Sequence, residues 1–458
     1  MALSGSGDRA QPAAHEDASD LVDATLAGVD LTRLADQVAT RLRGRGVTFG
    51  SRRGHDAFRV DPVPRVISAA EWAPLAAGLI QRVRALNRFV ADVYGAQRIL
   101  AEGVVPRAAI TTAEYFEPQL VGLDRPPATW IPLAGLDVVR DTDGEFKVLE
   151  DNVRTPSGLT YAIAARDALT ASLPVPDGLE VRSLADAYEL LGRTLRAAAP
   201  DEVDEPTTAV LSDGPHNAAF YEHSTIAREL GVLLVTPADL TLRRGRLLAG
   251  EHRQPVDVVY RRTDSDRLYD AAGSLTPVGE LLAEPWRSGR LGLVNAYGTG
   301  VADDKLIHAY VEEIVRFYLG EEPLLRSVPT YDLSRPDQRA MVLERIAELV
   351  IKPRSGHGGA GVVVCPHADP RDVERAAVAV AGDPGLYIAQ EMVILSRQPT
   401  VCDGHLEPRH VDLRPFVMAS GEEIEVIPGG LTRVAFDPGA LVVNSSQNGG
   451  AKDTWVLA

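Results

Sequence analysis

The chain has 458 residues and a mass of 49.2 kDa, room for about three structural units of roughly 150 residues and far beyond a small disulfide-stapled scaffold. With 45% hydrophobic and 24% charged residues it has an ordinary globular composition, and 47 Lys+Arg against 64 Asp+Glu leave a net charge of −17. That balance argues against a nucleic-acid coat or a membrane-surface protein, both of which neutralise anionic partners, so an anionic ligand needs a local cationic cluster.

Residues 1–20, rich in Ala, Ser, Gly and Asp, read as a disordered leader without the basic and apolar regions of a signal peptide. No charge-free apolar stretch of about 18 residues follows, so a cytoplasmic protein is expected. Cys365 and Cys402 lack metal-ligand spacing and are expected as buried free thiols. Over 71–95, Leu75, Leu79, Val83, Leu86, Phe89, Val90 and Val93 recur at helical spacing, with Gly95 as a stop. Leu136-Asp-Val-Val-Arg140 and Phe146-Lys-Val-Leu-Glu150 flank an Asp-Gly turn and predict a β-hairpin.

The polar stretch 199–207 reads as a linker. After it, strands over 209–214, 232–235, 256–260 and 291–294 with a helix over 217–231 predict an α/β unit with a parallel sheet. From about residue 302, a helix through 319, a second over 338–349 and strand-like runs with glycine-rich turns predict an α+β unit. The tryptophans Trp72, Trp130, Trp286 and Trp455 are expected in the core.

The hairpin carries the sharpest chemistry. A two-residue turn at Asp143-Gly144 sets Asp137 opposite Glu150, and alternation places Asn152 on the face of Glu150. Like charges directly opposite destabilise a sheet, and a bound cation removes the conflict. Two carboxylates and an amide oxygen suit Mg²⁺, the alternative being an exposed hairpin with scattered acids. A phosphate partner is offered by Leu349-Val-Ile-Lys-Pro353, the loop Arg354-Ser-Gly-His-Gly-Gly-Ala-Gly361 and Val362-Val-Val-Cys365. Glycines let backbone N–H groups converge on phosphate oxygens, and an ammonium inside an apolar strand needs an anion. The arrangement is strand, loop, strand, so it is neither a Walker loop nor a dinucleotide fingerprint. Lys305, in the first turn of a predicted helix, is a second cation that the positive helix end disfavours without an anion nearby.

Lys305, Val350-Ile-Lys-Pro353 with its glycine loop, Ala389-Gln-Glu-Met-Val393 and Val411-Asp-Leu-Arg414 together resemble the nucleotide half of ATP-grasp ligases. In those proteins the metal-binding acids come near the C-terminus, whereas Asp137 with Glu150-Asp-Asn152 lies near the N-terminus here. The chain is therefore similar to circularly permuted ATP-grasp proteins related to glutathionylspermidine synthase. Further matches are Glu150-Asp-Asn-Val-Arg-Thr-Pro-Ser-Gly158, Tyr260-Arg-Arg262, Pro428-Gly-Gly-Leu-Thr-Arg433 and the segment 445–456.

The resemblance implies mixed α/β and α+β architecture: a circularly permuted ATP-grasp fold with a Rossmann-like pre-ATP-grasp domain. The implied units are 21–200 with the metal-binding part, 205–300 as the pre-ATP-grasp domain and 301–458 as the nucleotide-binding domain. It implies ATP and Mg²⁺, a carboxylate and an amine as substrates, no nucleic acid and no membrane. Lys305, Lys352 and Lys452 would serve the nucleotide, with Gly356, Gly358, Gly359 and Gly361 folding over its phosphates. Gln390, Glu391 and Met392 would form the adenine hinge, Asp137, Glu150 and Asn152 would hold the metal, and Arg414 would steady the transferred phosphoryl. Arg154 and Ser157 would border the carboxylate substrate. Arg261, Arg262, Arg433 and Lys452 are open between ligand contacts and structural ion pairs. No cysteine sits beside 154–157, so a glutathione site does not carry over. The implied reaction is amide formation through an acyl phosphate; a non-catalytic nucleotide module acting through a partner protein and a kinase are the alternatives.

Overall fold

The computed structural model describes residues 21–51, 54–356, 359–438 and 449–458, so the leader 1–20, His357 and Gly358 of the glycine loop, and 439–448 lie outside the described residues. The predicted long helix is Ala69–Tyr94. Ser68 caps it, accepting from the Glu71 backbone N–H while the Glu71 carboxylate takes the Ser68 N–H. The four tryptophans are buried, as are the apolar residues of this helix face.

The largest sheet explains how distant sequence meets. Its strands run Arg326–Ser327, Phe146–Glu150, Asp137–Arg140, His405–Arg414, Leu431–Ala435, Gly449–Val456 and Val60–Ile67, with Arg397–Cys402 paired to His405–Arg414. The hairpin therefore lies beside the C-terminal strands, Val138 pairing with Leu413. A second, antiparallel sheet orders Thr330–Asp332, Tyr387–Glu391, Leu349–Pro353 and Val363–Val364. The parallel sheet predicted for the middle of the chain is present as Gly292–Val294, Val258–Arg262, Thr208–Ser212 and Leu233–Val235. Helix Phe220–Leu230 ends at Gly231 in the left-handed region.

Several expectations need correction. The hairpin loop has three residues rather than two: Asp141 N–H donates to Glu145 O, and Gly144 supplies the required positive φ of 84°. The ladder is shifted accordingly, pairing Val138 with Val148, and a bulge beyond Val138 restores Asp137 opposite Glu150. The single helix expected over 302–319 is broken into Thr299–Val301, Lys305–His308 and Val311–Leu319. The helix expected over 338–349 is Pro336–Glu344, with a short turn Ile346–Glu348 before the strand. A small antiparallel sheet of Leu240–Arg243, Arg246–Ala249 and Gln254–Val256, invisible as alternation, follows the strand Leu233–Val235. Cys365 is buried and Cys402 partly so, both as free thiols. Among the described residues no helix is long and apolar enough to cross a membrane.

Candidate active site

A cleft of ≈ 700 Å³ is lined by residues of the large sheet and of the four-stranded antiparallel sheet. It gathers Asp137, Glu150, Asn152, Arg154, Ser157, Lys305, Lys352, Gly356, Gly359, Gln390, Glu391, Met392 and Arg414, which the sequence scatters over nearly 280 positions. Gly361 stands behind it, where an added Cβ would meet Pro353 at 2.8 Å.

At one end two cations converge. Lys352 and Gln390 belong to neighbouring strands, and Lys352 Nζ donates to Gln390 Oε1 at 2.5 Å. Burial, aided by Lys305, presses Lys352 down to about 8 against the pull of Glu150 and Asp137. Lys305 arrives from another element, starting the helix that Asp304 caps. Its Nζ donates to Gly356 O at 2.8 Å and lies 3.5 Å from Glu150. Arg354, at the foot of the glycine loop, clamps Asp304 with two bonds of 2.9 and 3.0 Å, an ion pair that joins the strand end to the lysine helix. The Glu391 carboxylate is taken by Tyr331 and Arg345, and its N–H donates to Pro329 O.

The middle of the cleft is a lattice of opposite charges. Asp412 and Arg433 face each other across adjacent strands, and Arg433 also bonds Asp137 at 2.8 Å. Arg414 Nε donates to the other Asp137 oxygen at 2.7 Å. Burial would raise the Asp137 carboxyl, but the two guanidinia overcome it and hold the group at about 2. Burial raises Asp412 instead. Glu150 remains partly exposed, and Asn152 Nδ2 has no hydrogen-bond partner among the described residues.

The far end belongs to Arg154. It donates to Asp303 at 2.6 Å and Asp266 at 2.7 Å, and its guanidinium lies 3.8 Å from the Tyr115 ring centre. Gly300 permits this approach, since a Cβ there would meet Tyr115 at 2.3 Å and Arg154 at 2.8 Å. The segment after Arg154 is pinned from the parallel sheet: Arg262 donates to Pro156 O at 2.7 Å and to Ser157 Oγ, while buried Glu222 accepts from Gly158 N–H. Arg261 donates to Asn295 O and stacks on Tyr297, and its Nη1 has no hydrogen-bond partner among the described residues. Both arginines are buried and neither lines the cleft, whereas Arg433 does.

Lys452 is not brought to the cleft. It is wholly buried, paired with Asp61 and donating to Val63 O and Pro399 O, so its three protons are used. Asp303, Asp412 and Arg354 also line the cleft, although the sequence did not single them out as candidates. Asp303 and Asp304 precede Lys305 directly, and Asp412 lies inside the Val411-Asp-Leu-Arg414 motif; those adjacencies were the available signals.

The family model of circularly permuted ATP-grasp type 2 matches residues 64–435. An uncharacterised protein of Mycobacterium tuberculosis (strain ATCC 25618 / H37Rv) is 43% identical over 444 residues, spanning 95% of this chain and 80% of the relative. One from Synechocystis sp. is 44% identical over 406 residues, 87% of this chain and 84% of the relative. A Frankia casuarinae protein named "Putative glutamate--cysteine ligase 2-2" is 44% identical over 439 residues, 92% of this chain but 50% of that protein. A solved glutathione synthetase-like effector from Globodera pallida in its apo form superposes with a TM-score of 0.59 at 10% identity, over 97% of this chain and 99% of the effector, which shows a shared fold. The N-terminal hairpin seated against C-terminal strands is the permutation made visible, and the chain belongs to the circularly permuted ATP-grasp type 2 family.

Proposed function

We propose that this ATP-grasp protein is an ATP-dependent carboxylate–amine ligase that forms an amide through an acyl phosphate and releases ADP and phosphate. The observation that carries the reading is the pair Lys305 and Lys352, two ammonium groups converging on one cleft. Lys352 is half-buried and its hydrogen-bond partner is an amide oxygen rather than a carboxylate. Such a pair calls for a polyanion, and nucleotide phosphates supply one. The name of the Frankia relative points toward amide synthesis too, for a protein of which this chain matches half.

The donor set also fits a hard cation. Glu150 is partly open, Asn152 can turn its amide oxygen because its nitrogen is uncommitted, and each Asp137 oxygen keeps lone pairs beyond its guanidinium bond. Mg²⁺ held by these three residues would neutralise phosphoryl charge. The chain's own groups do the rest. Lys305 and Lys352 bind phosphates, the backbone of 390–392 receives adenine, and the glycine loop covers the phosphates. Arg414, fixed by Asp137 and Ser157 O, meets the transferred phosphoryl. Arg154 and Ser157 border the acid, held by Asp303, Asp266 and Arg262. The units 21–200, 205–300 and 301–458 then supply metal ligands, substrate-side support and nucleotide contacts.

Hydroxylamine in place of the amine tests the reading across a panel of carboxylic acids. Hydroxamate formation with ADP release is expected; ADP release without hydroxamate would indicate phosphorylation of an alcohol and overturn the acyl-phosphate step. Glu150→Gln should abolish turnover, and full activity in that variant would remove Glu150 from the metal site.

A further inference from the structure

Behind the two lysines lies a cavity of ≈ 10 Å³, about the room one water needs. Lys305, Lys352, Gln390, Asp151 and His308 line it. His308 is buried, with Nδ1 at 2.8 Å from Asp151 Oδ2. Arg82, from the long helix, grips both Asp151 oxygens at 2.6 and 2.8 Å and bonds Ser327 as well. One Arg82 nitrogen also lies 3.2 Å from His308 Nδ1, but an ionised Asp151 can only accept, so the 2.8 Å contact requires a proton on Nδ1 that is donated to Asp151 Oδ2. Burial holds His308 below its ordinary range despite Asp151, which keeps the ring neutral. Nε2 is then a bare acceptor, and it has no hydrogen-bond partner among the described residues. Donors on the cavity wall are the Lys305 and Lys352 ammonium groups and the Gln390 amide, and that amide already donates to Thr330 and Leu149.

We infer that one water fills this cavity, donating to His308 Nε2 and accepting from Lys305 or Lys352, which makes His308 a positioning residue for the phosphate-binding lysines. The connectivity supports the role. His308 closes the helix that Lys305 opens, and Asp151 sits between Glu150 and Asn152 with its side chain turned away from the cleft. The Arg82–Asp151–His308 chain thus ties the metal-ligand strand to the lysine helix at a fixed spacing. This inference rests on the nucleotide reading of the cleft.

The test compares MgATP and adenosine affinities by calorimetry in wild type, His308→Leu and His308→Gln. His308→Leu should weaken MgATP about tenfold, the reach of one hydrogen-bond link, while adenosine affinity stays unchanged. His308→Gln, which can still hold the water, should recover most of the loss. A purely structural role would lower Tm and leave the MgATP-to-adenosine ratio untouched, and that result overturns the inference alone. Failure of wild type to bind MgATP would overturn the nucleotide reading itself. Nitrogen-15 shifts of the wild-type His308 ring supply a test that needs no variant: the neutral Nδ1-protonated form is expected, and a proton on Nε2 overturns the inference.

Discussion

The two halves of the cleft handle charge in opposite ways. Around Asp137 every charge is met: Arg414 and Arg433 bracket it, Asp412 closes the lattice, and Asp137 is driven down to about 2. At the other end Lys352 is driven down to about 8, with an amide as its partner and Lys305 adding positive charge beside it. The first region is complete without a ligand and owes its order to mutual pairing. The second is less well matched, since Lys352 has an amide for a partner and a second ammonium beside it. Side chains that line one cleft can therefore contribute to stability with opposite sign.

That contrast can be broken by substitution. Asp137→Asn takes the only carboxylate from Arg414 and leaves Arg433 with Asp412 alone, and should cost about 3 kcal/mol in urea unfolding. Its effect follows pH: Asp137 is depressed from its ordinary 3.8, so its contribution is full above about pH 4 and is lost as pH falls through about 2. The difference between wild type and Asp137→Asn should therefore shrink as the solution is acidified below pH 4. Lys452→Ala should cost about 3 kcal/mol for the same reason, by stranding Asp61, while leaving MgATP affinity unaltered. A selective loss of MgATP binding there would return Lys452 to the site. Arg154→Gln, which leaves Asp303 and Asp266 facing each other, should cost about 2 kcal/mol.

Lys352→Met should behave in the opposite sense, raising the stability of the ligand-free protein by about 1 kcal/mol near neutral pH. Because the folded lysine is depressed below its ordinary 10.5, the folded state sheds its proton first. Wild-type stability should then rise from about pH 8 to about 10.5, and the advantage of the variant should fade over that window. A pH-independent difference in urea unfolding would contradict the depressed lysine.

Local pattern made much of this legible. Helix Ala69–Tyr94, the hairpin and the parallel strands follow from periodicity and turn residues, and the resemblance to ATP-grasp ligases singled out Lys305, Lys352, Asp137, Glu150, Asn152 and Arg414 among the residues that line the cleft. Asp137 does face Glu150, although the loop has three residues and a bulge restores the pairing; spacing could not reveal two compensating irregularities. Lys452 was misplaced because its partner, Asp61, is 391 positions away on a strand that pairs in parallel with its own. The Asp303 and Asp266 grip on Arg154 was hidden for the same reason: the two carboxylates lie 149 and 112 positions away, and only folding brings them to the guanidinium.

The central claim is that Lys305 and Lys352 await a nucleotide, and thermal unfolding of wild type and Lys352→Met with and without MgATP tests it most directly. At about 100 times its dissociation constant, MgATP should stabilise wild type by roughly 2.7 kcal/mol, and Lys352→Met should lose most of that gain. Equal stabilisation of both proteins, or none of wild type, would contradict the account.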